Sequence, residues 1–361
     1  MTRALAVLAG LLTLFVASCA GPAAHPPGET GTHSTETNST QTNSTETNST
    51  ETNSTETNIV RYQGQVGQVT FPELAADLGY LGGVRLQWIG NSTSGPQDIQ
   101  ATVTGDTDVG GAFNGSVLRL AAAGAPITAV IGYYGVDDQT LTGYFARDGS
   151  PIRTARDLIG RTVGVNTLGA HYEDVLRIYL ARNGLTEQEI NSVQLVVVPP
   201  VSAEQALRSG QLDVAVLQGI YRDKALSRGG VRAVFSDYDV LGRFTAGSLV
   251  MRNRFIRDNP DTVRAFVAGT ARAIAWAQRQ PRDVVVARMK QIIAHRGRAE
   301  NTDAVSYWKS TGVALPGGVI ARAEFSTWVD RLTEDGRITP GAVDLDTLYT
   351  NQFNPYAGTP R

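Results

Sequence analysis

Ala101-Thr-Val-Thr-Gly105-Asp-Thr-Asp108-Val-Gly110 and, 105 residues further on, Ala206-Leu-Arg-Ser-Gly210-Gln-Leu-Asp213-Val-Ala215 are the two stretches that decide the fold. Each reads as a helix end, a Gly suited to the left-handed position just past it, and an Asp that opens a strand. The strands before them, Val84–Ile89 and Val193–Val198, correspond at an offset of 109, with a shorter loop in the second copy. A strand, helix, strand unit used twice predicts two similar α/β lobes.

Working outward, Thr128–Ile131, Arg161–Val165 and Val214–Leu217 also read as strands. Thr186-Glu-Gln-Glu189 and Ser202-Ala-Glu-Gln205 have capping-box spacing, in which the hydroxyl and the third side chain satisfy free N–H groups reciprocally. After about residue 252 the pattern turns to helices alone. Asn259-Pro260-Asp261 opens one with Pro at its first position, and Val263, Phe266, Val267, Thr270, Ile274 and Trp276 give it an apolar stripe. Further helical patterns cover Arg282–Ala294, Asp303–Ser310 and Glu324–Leu332.

The first 58 residues read differently. Met1-Thr2-Arg3 and the 14-residue apolar run Ala4–Ala17 have the form of a secretion signal, shorter than the roughly 20 residues that span a bilayer. The run ends in Val16-Ala17-Ser18-Cys19, which resembles the bacterial lipobox. That resemblance implies a signal peptide over 1–18 and a diacylglycerol-modified Cys19 as membrane anchor, since two acyl chains hold where one binds only marginally. Cleavage at Ala17 or Ala20 with an incidental cysteine is the alternative. Residues 19–58 form a low-complexity tether with five copies of Ser-Thr-Glu/Gln-Thr-Asn. Lacking hydrophobes, the pentad has no face to stack, and the flexible tether has a reach on the order of 35 Å. Its Asn-Ser-Thr triplets match the glycosylation pattern, though a plain polar spacer accounts for them.

Charge and residue usage exclude several classes. The net charge of −2 resolves into a globular part, 59–361, at +2, which rules out a strongly basic nucleic-acid binder. A single cysteine excludes intrachain disulfides and cysteine-rich metal sites, and beyond the tether only His171 and His295 remain. No metal and no cofactor is therefore expected.

The segments Phe71-Pro-Glu-Leu-Ala-Ala-Asp-Leu-Gly-Tyr80, Thr104-Gly-Asp-Thr-Asp-Val-Gly110, Ala123-Gly-Ala-Pro-Ile127, Pro151-Ile-Arg-Thr-Ala-Arg-Asp-Leu-Ile-Gly-Arg-Thr-Val-Gly-Val165 and Ala206–Asp213 occur in this order. With them the chain from about 59 to 300 resembles the extracytoplasmic solute-binding proteins of ATP-driven (ABC) importers. The branch is the one that serves sulfonates, taurine, nitrate and thiamine-precursor pyrimidines, the NMT1-like branch. The resemblance implies a two-lobed type II periplasmic-binding-protein fold with two crossover hinge strands, C-terminal helices and a ligand in the cleft. The crossings are expected near Leu141–Arg147 and Thr245–Arg252. They give a discontinuous first lobe, 59–141 with 245–361, and a second lobe, 142–244.

Ligands of open α/β sheets sit beyond the C-terminal strand ends, against helix N-termini. That rule nominates Gly90-Asn91-Ser92-Thr93-Ser94-Gly95, Gly111-Ala-Phe113-Asn114-Gly115-Ser116, Asn166-Thr167-Leu168-Gly169-Ala170-His171-Tyr172 and Gln218-Gly219-Ile220-Tyr221. The candidate ligand-binding residues are Gln63, Ser92, Thr93, Phe113, Asn114, Tyr133, Thr167, Gly169, Ala170, His171, Gln218 and Tyr221. Each has a plainer reading. Ser, Thr and Asn before helices serve as caps, His171 as a first-turn surface residue, and Tyr133 with Tyr134 as packing for a lobe face. Gln218 departs from the resemblance, since many relatives carry an aromatic or acidic residue and a Pro there. With no basic residue in these loops except Arg243, an anion would rest on N–H groups and hydroxyls.

One branch of this resemblance is enzymatic and uses a Schiff-base lysine with a cysteine-rich motif. Lys224, Lys290 and Lys309 are the only lysines, none in a nominated loop, and no Gly-x-Ser-x-Gly elbow occurs. The expected protein is not an enzyme. It is a monomeric extracytoplasmic lipoprotein that closes on a small sulfonate-like anion and hands it to an ABC permease and its ATPase. A pyrimidine stacked on Tyr133 or Phe113, or a tethered sensor or scavenger, is the alternative.

Overall fold

The structure is a computed structural model that describes residues 56–358. The apolar leader, Cys19 and the tether up to residue 55 lie outside the described residues, and so do the readings made on them. The chain enters through β1 (Ile59–Gly64), α1 (Phe71–Asp77), β2 (Arg85–Asn91), α2 (Gly95–Thr104), β3 (Val109–Phe113), α3 (Asn114–Ala122) and β4 (Ile127–Val136). It continues through β5 (Thr142–Arg147), β6 (Thr162–Val165), α4 (His171–Arg182), α5 (Glu187–Asn191), β7 (Gln194–Val197) and α6 (Pro200–Arg208). Next come β8 (Val214–Gln218), α7 (Gly219–Arg228), β9 (Val231–Ser236), α8 (Asp237–Leu241) and β10 (Phe244–Arg252). The helices α9 (Asn253–Asp258), α10 (Pro260–Arg279), α11 (Arg282–His295), α12 (Ala323–Glu334) and α13 (Leu345–Leu348) complete it.

Strand pairing divides these elements into two lobes. In the first, β1 lies parallel to β2, and β10 runs antiparallel between β3 and β4. The Asp108 N–H donates to the Arg61 carbonyl (2.9 Å) and joins the two small sheets. In the second, the order is β7-β6-β8-β5-β9, with β6 parallel to both neighbours and β5 antiparallel to both of its own. The stretches expected to cross between lobes are thus β5 and β10, each paired on both edges within a single sheet. The passages are short: residues 137–141 and 242–243. The first is fixed by Asp137, which accepts from the Gln139 and Thr140 N–H groups and from the Ser310 hydroxyl (2.7 Å). Arg222 donates to the Leu141 and Gln139 carbonyls.

Local chemistry explains most element ends. Thr70 and Glu73 form a capping box at α1, and Thr186 with Glu189 forms the expected one at α5. α1 ends in a Schellman motif: Gly79 has φ +71°, its N–H reaches the Ala76 carbonyl (3.1 Å), and Tyr80 N–H reaches Ala75 (2.8 Å). The box expected at Ser202 does not form. Pro199-Pro200 starts α6 three residues earlier, because a Pro at the first helical position has a helix-ready φ and lacks an N–H that would go unpaired. Asp303–Ser310 yields only a 3-10 turn, Ala304–Tyr307. Lys309 is drawn to Asp223 (2.9 Å) and Ser310 to Asp137, which takes both off a helical path.

One apolar core lies inside the first lobe, where Val60, Leu74, Ile131, Phe266, Ile274 and Met289 meet. A small core in the second lobe gathers Phe145, Leu207, Leu212 and Leu217. The third runs from one lobe into the other: Phe113, Val117 and Leu118 share it with Val163, Tyr172 and Val175, and α12 closes it with Phe325, Trp328 and Leu332.

Candidate functional site

β3 and β4 are both antiparallel to β10, so their C-terminal ends lie on one side of the first sheet, next to the start of β10. In the second sheet β6, β7 and β8 end alongside the first residue of β5, and β9 ends beside Gly143. These two rims face each other. Ser116 and Arg119 of α3 both donate to the Gly169 carbonyl (3.2 and 2.7 Å), and Arg119 grips both Asp174 carboxylate oxygens at 2.6 Å. Arg337, beyond α12, reaches Asp174 as well (3.0 Å) and pairs with Glu173. Asp174 is 2 % exposed, so the pairs are shielded from solvent screening.

Aromatic rings fill the seam beside this ion-pair cluster. The Phe113 ring stacks on His171 (centroids 5.2 Å, 10°) and meets Trp328 edge-on (4.6 Å). Tyr134 and Phe244 flank His171 at 6.4 and 5.9 Å, and Tyr133 stands edge-on to Tyr134 at 4.9 Å. Burial pushes the Tyr133, Tyr134 and Tyr172 hydroxyls well above their ordinary pKa, so all three remain protonated donors. His171 Nε2 lies 3.3 Å from Asp237 Oδ2, both groups buried, while Asp237 Oδ1 accepts from the Thr142 N–H (2.9 Å).

Helix N-termini supply the polar lining. α2 and α8 are capped by Ser94 and Ser236. α3, α4, α6 and α7 also start at the rims and have no side-chain cap. The first turn of α4 already carries Glu173 and Asp174, matched by Arg337 and Arg119. Those of α6 and α7 hold no acidic residue, and between them lies a small pocket with room for about one water, lined by Asn166, Tyr172, Val198, Pro200, Gln218 and Tyr221. An unneutralised helix start with free N–H groups favours negative charge.

The residues nominated from sequence separate into groups. Gln218 and Tyr221 line that pocket. Thr167 lies on the same loop as Asn166, and its hydroxyl has only a long contact to the Leu168 carbonyl (3.5 Å). Gly169, Ala170, His171 and Phe113 belong to the seam, the His171 and Phe113 rings spent on each other. Asn114 is fully buried and committed: it donates to the Thr245 and Glu324 carbonyls and accepts from the Ser248 hydroxyl (2.8 Å). Ser92 and Thr93 serve their own turn, Ser92 bonding to the Ser94 carbonyl and Thr93 to Gln97 Oε1 (2.7 Å). Gln63 lies at the end of β1 with its Oε1 buried and unpartnered, and the Tyr133 ring lies close over Gly111. Sequence reasoning passed over Asp98, Val198, Pro200 and Asp237. The one signal available for α6 was the Pro pair before a helix.

The NMT1/THI5-like family matches residues 74–284, more than half of the chain. No curated protein matches. Among solved structures, the alkanesulfonate-binding protein SsuA of Xanthomonas axonopodis pv. citri, bound to MOPS, superposes with a TM-score of 0.65 at 19 % identity, covering 82 % of this chain and 99 % of its own. The periplasmic nitrate-binding protein NrtA of Synechocystis gives 0.63 at 12 %, with 82 % and 87 % covered. The desulfurization enzyme DSZB gives 0.55 at 18 %, with 82 % and 97 % covered. At these identities the likeness is one of fold, and that fold carries both binding proteins and an enzyme.

Proposed function

This chain belongs to the NMT1/THI5-like family, and from that premise we propose that it is the extracytoplasmic solute-binding protein of an ABC importer, taking a small organic anion of the sulfonate or nitrate kind between its lobes. The observation that carries this reading is the pair of uncapped, acid-free starts of α6 and α7 around the pocket at Asn166, Gln218 and Tyr221. Free N–H groups and a helix dipole hold an anion without a basic side chain. The matched sulfonate- and nitrate-binding folds support the same ligand class.

Capture works by population shift. The ligand contacts both rims only when they are closed, so binding favours the closed form, which the permease then engages. Residues 1–18 direct export, Cys19 carries the lipid, and the tether lets a monomeric domain reach the permease. No catalytic step is assigned. Lys309 is paired with Asp223 and Lys224 lies over the Tyr307 ring, so neither is a free nucleophile in the cleft.

The Tyr133 and Tyr134 pair favours a second ligand class, a flat heteroaromatic such as a pyrimidine, on Tyr133 alone, since the Phe113 face is taken by His171. Mass spectrometry of what co-purifies with the full chain, native and then denatured, separates the two. A sulfonated or nitrate-like anion released on denaturation supports the proposal. A heterocycle without an acidic group replaces it with the second reading.

A further inference from the structure

The turn before β3 in the first lobe and the turn before β8 in the second are built alike, but one is closed and the other open. The Asp108 N–H meets the Arg61 carbonyl (2.9 Å) and the Asp213 N–H meets that of Thr162 (3.1 Å), so Thr162 stands where the first lobe has Arg61. Arg61 fills its place: Nε and Nη2 take both Asp108 oxygens (3.0 and 2.6 Å), and Arg252 adds a third bond (3.1 Å). Thr162 is too short to do the same. Its N–H and hydroxyl both go to Asp213 Oδ2 (3.0 Å each), and among the described residues Oδ1 accepts no hydrogen bond. The Asp213 side chain is 30 % exposed, against 5 % for Asp108. Where a guanidinium closes the first lobe, the second has an open cavity of about 480 Å³, lined by Arg147, Ser150, Pro151, Ile152, Arg161 and Asp213.

Charge differs in the same sense. In the first lobe Arg61 and Arg252 face Asp108, and Asp106 also acts on Arg61. The sequence repeat puts Gln211 at the position of Asp106, so that carboxylate is missing beside Arg147 and Arg161. Arg161 has Asp213 no nearer than 4.0 Å, and Arg147 spends only Nη1, on the Leu207 and Leu212 carbonyls. Behind the wall Arg153 and Arg232 hold the Ser150 carbonyl, while Asp157, near Arg161, is turned to the Arg153 and Thr154 N–H groups. With Asp148 counted, four arginines meet three aspartates here.

We infer that this cavity is a second binding site, for a small hydroxylated oxyanion such as a polyol phosphate or a hydroxy acid. The acid group is received by the planar forks of Arg161 and Arg147 and by the Ser150 hydroxyl, and a hydroxyl of the same molecule donates to Asp213 Oδ1. The volume falls in the range of small-molecule sites. This site is separate from the cleft: Arg161 and Asp213 precede β6 and β8, whereas Asn166 and Gln218 lie at the far ends of those strands. It takes its ligand independently of what the cleft holds.

The test is calorimetric titration of the full chain with glycerol 3-phosphate and with inorganic phosphate. Glycerol 3-phosphate binds, and binds severalfold tighter than inorganic phosphate, which has no carbon-borne hydroxyl to offer Asp213. Arg161→Gln weakens its binding about tenfold or more. Gln211→Asp, which restores the carboxylate present in the first lobe, weakens it as well, and both variants keep the urea midpoint of the unmodified chain. Replacing Asn166 and Gln218 by Ala leaves it within about twofold, because the cleft is not involved. The inference is overturned if neither probe binds, if the two bind equally, or if binding survives Arg161→Gln and is lost with Asn166 and Gln218.

Discussion

Arg252 and Arg147 do the same job in the two lobes, 105 residues apart. The Arg252 guanidinium donates to the Thr102 carbonyl and to that of Thr107 (2.6 Å); Arg147 donates to Leu207 (2.6 Å) and Leu212 (3.1 Å). Arg252 ends β10 and Arg147 ends β5, and each ties down the turn between a helix and the strand that follows it. Asp108 and Asp213 add a matching clamp, accepting from the Arg61 N–H (2.9 Å) and the Thr162 N–H (3.0 Å). The repeat read in the sequence is thus a repeat of a mechanical device.

Removing either arginine leaves two carbonyls without their charged donor. Arg147→Met and Arg252→Met are each expected to lower unfolding free energy by about 1–3 kcal/mol. Arg252→Met should be the costlier, because Arg252 also holds Asp108 (3.1 Å). Urea midpoints at constant m-value check this; unchanged midpoints in both variants would refute the shared role.

The cluster between the lobes makes a different prediction. Asp174, nearly fully buried, faces Arg119 from the first lobe and Arg337 from the C-terminal region. Arg119→Met should cost about 2–4 kcal/mol, below the loss for a fully orphaned buried charge because Arg337 remains. It should also raise the radius of gyration in solution scattering. A variant that is destabilised with no change in scattering would confine the cluster to a packing role.

Stability should depend on pH through Glu324, whose carboxyl burial pushes up to about 7. A raised carboxyl favours the folded state while it is protonated. As pH rises from about 4.5, the unfolded chain ionises first and stability falls, levelling above pH 7 after a loss of up to about 3 kcal/mol. Glu324→Gln should flatten that slope in urea titrations at pH 5 and 7.5. A slope that survives the substitution assigns it to other groups, Asp98 first among them.

What the sequence disclosed was local. Gly105 and Gly210, the Thr186 box and Pro260 act within a few residues of themselves, and the structure places them as their neighbours dictate. What stayed hidden was distant. Nothing near Asn114 announces that its amide is consumed by Thr245, Ser248 and Glu324, more than 100 residues away. Likewise nothing near Phe113 or His171, both nominated for a ligand, announces that their rings stack on each other across the seam. Asp98 was overlooked because an acid early in a helix is ordinary dipole chemistry. Only the folded chain shows that its second oxygen is buried without a partner.

The anchor is tested at one atom. If the proposed lipid attachment holds, Cys19→Ala should move the protein from the membrane fraction to the soluble one, because it removes the thiol that the acyl chains require. Membrane retention that still needs detergent to reverse would refute the lipid attachment.

Affinity should be concentrated at the second-lobe pocket. Asn166 and Gln218 sit where α6 and α7 begin, Gln218 exposed at its rim, and neither anchors a core element. Replacing both by Ala should weaken binding of the co-purifying anion about tenfold or more while costing less than about 1 kcal/mol in stability. The paired control is Thr93→Ala, whose hydroxyl is already bonded to Gln97 and which should leave affinity within about twofold. If the Thr93 change weakens binding and the Asn166 and Gln218 changes do not, the anion lies at the start of α2, beside Asp98. An anion there would meet the buried, unpartnered Asp98 oxygen, and an anion and a carboxylate cannot share one desolvated site without protonation of the acid.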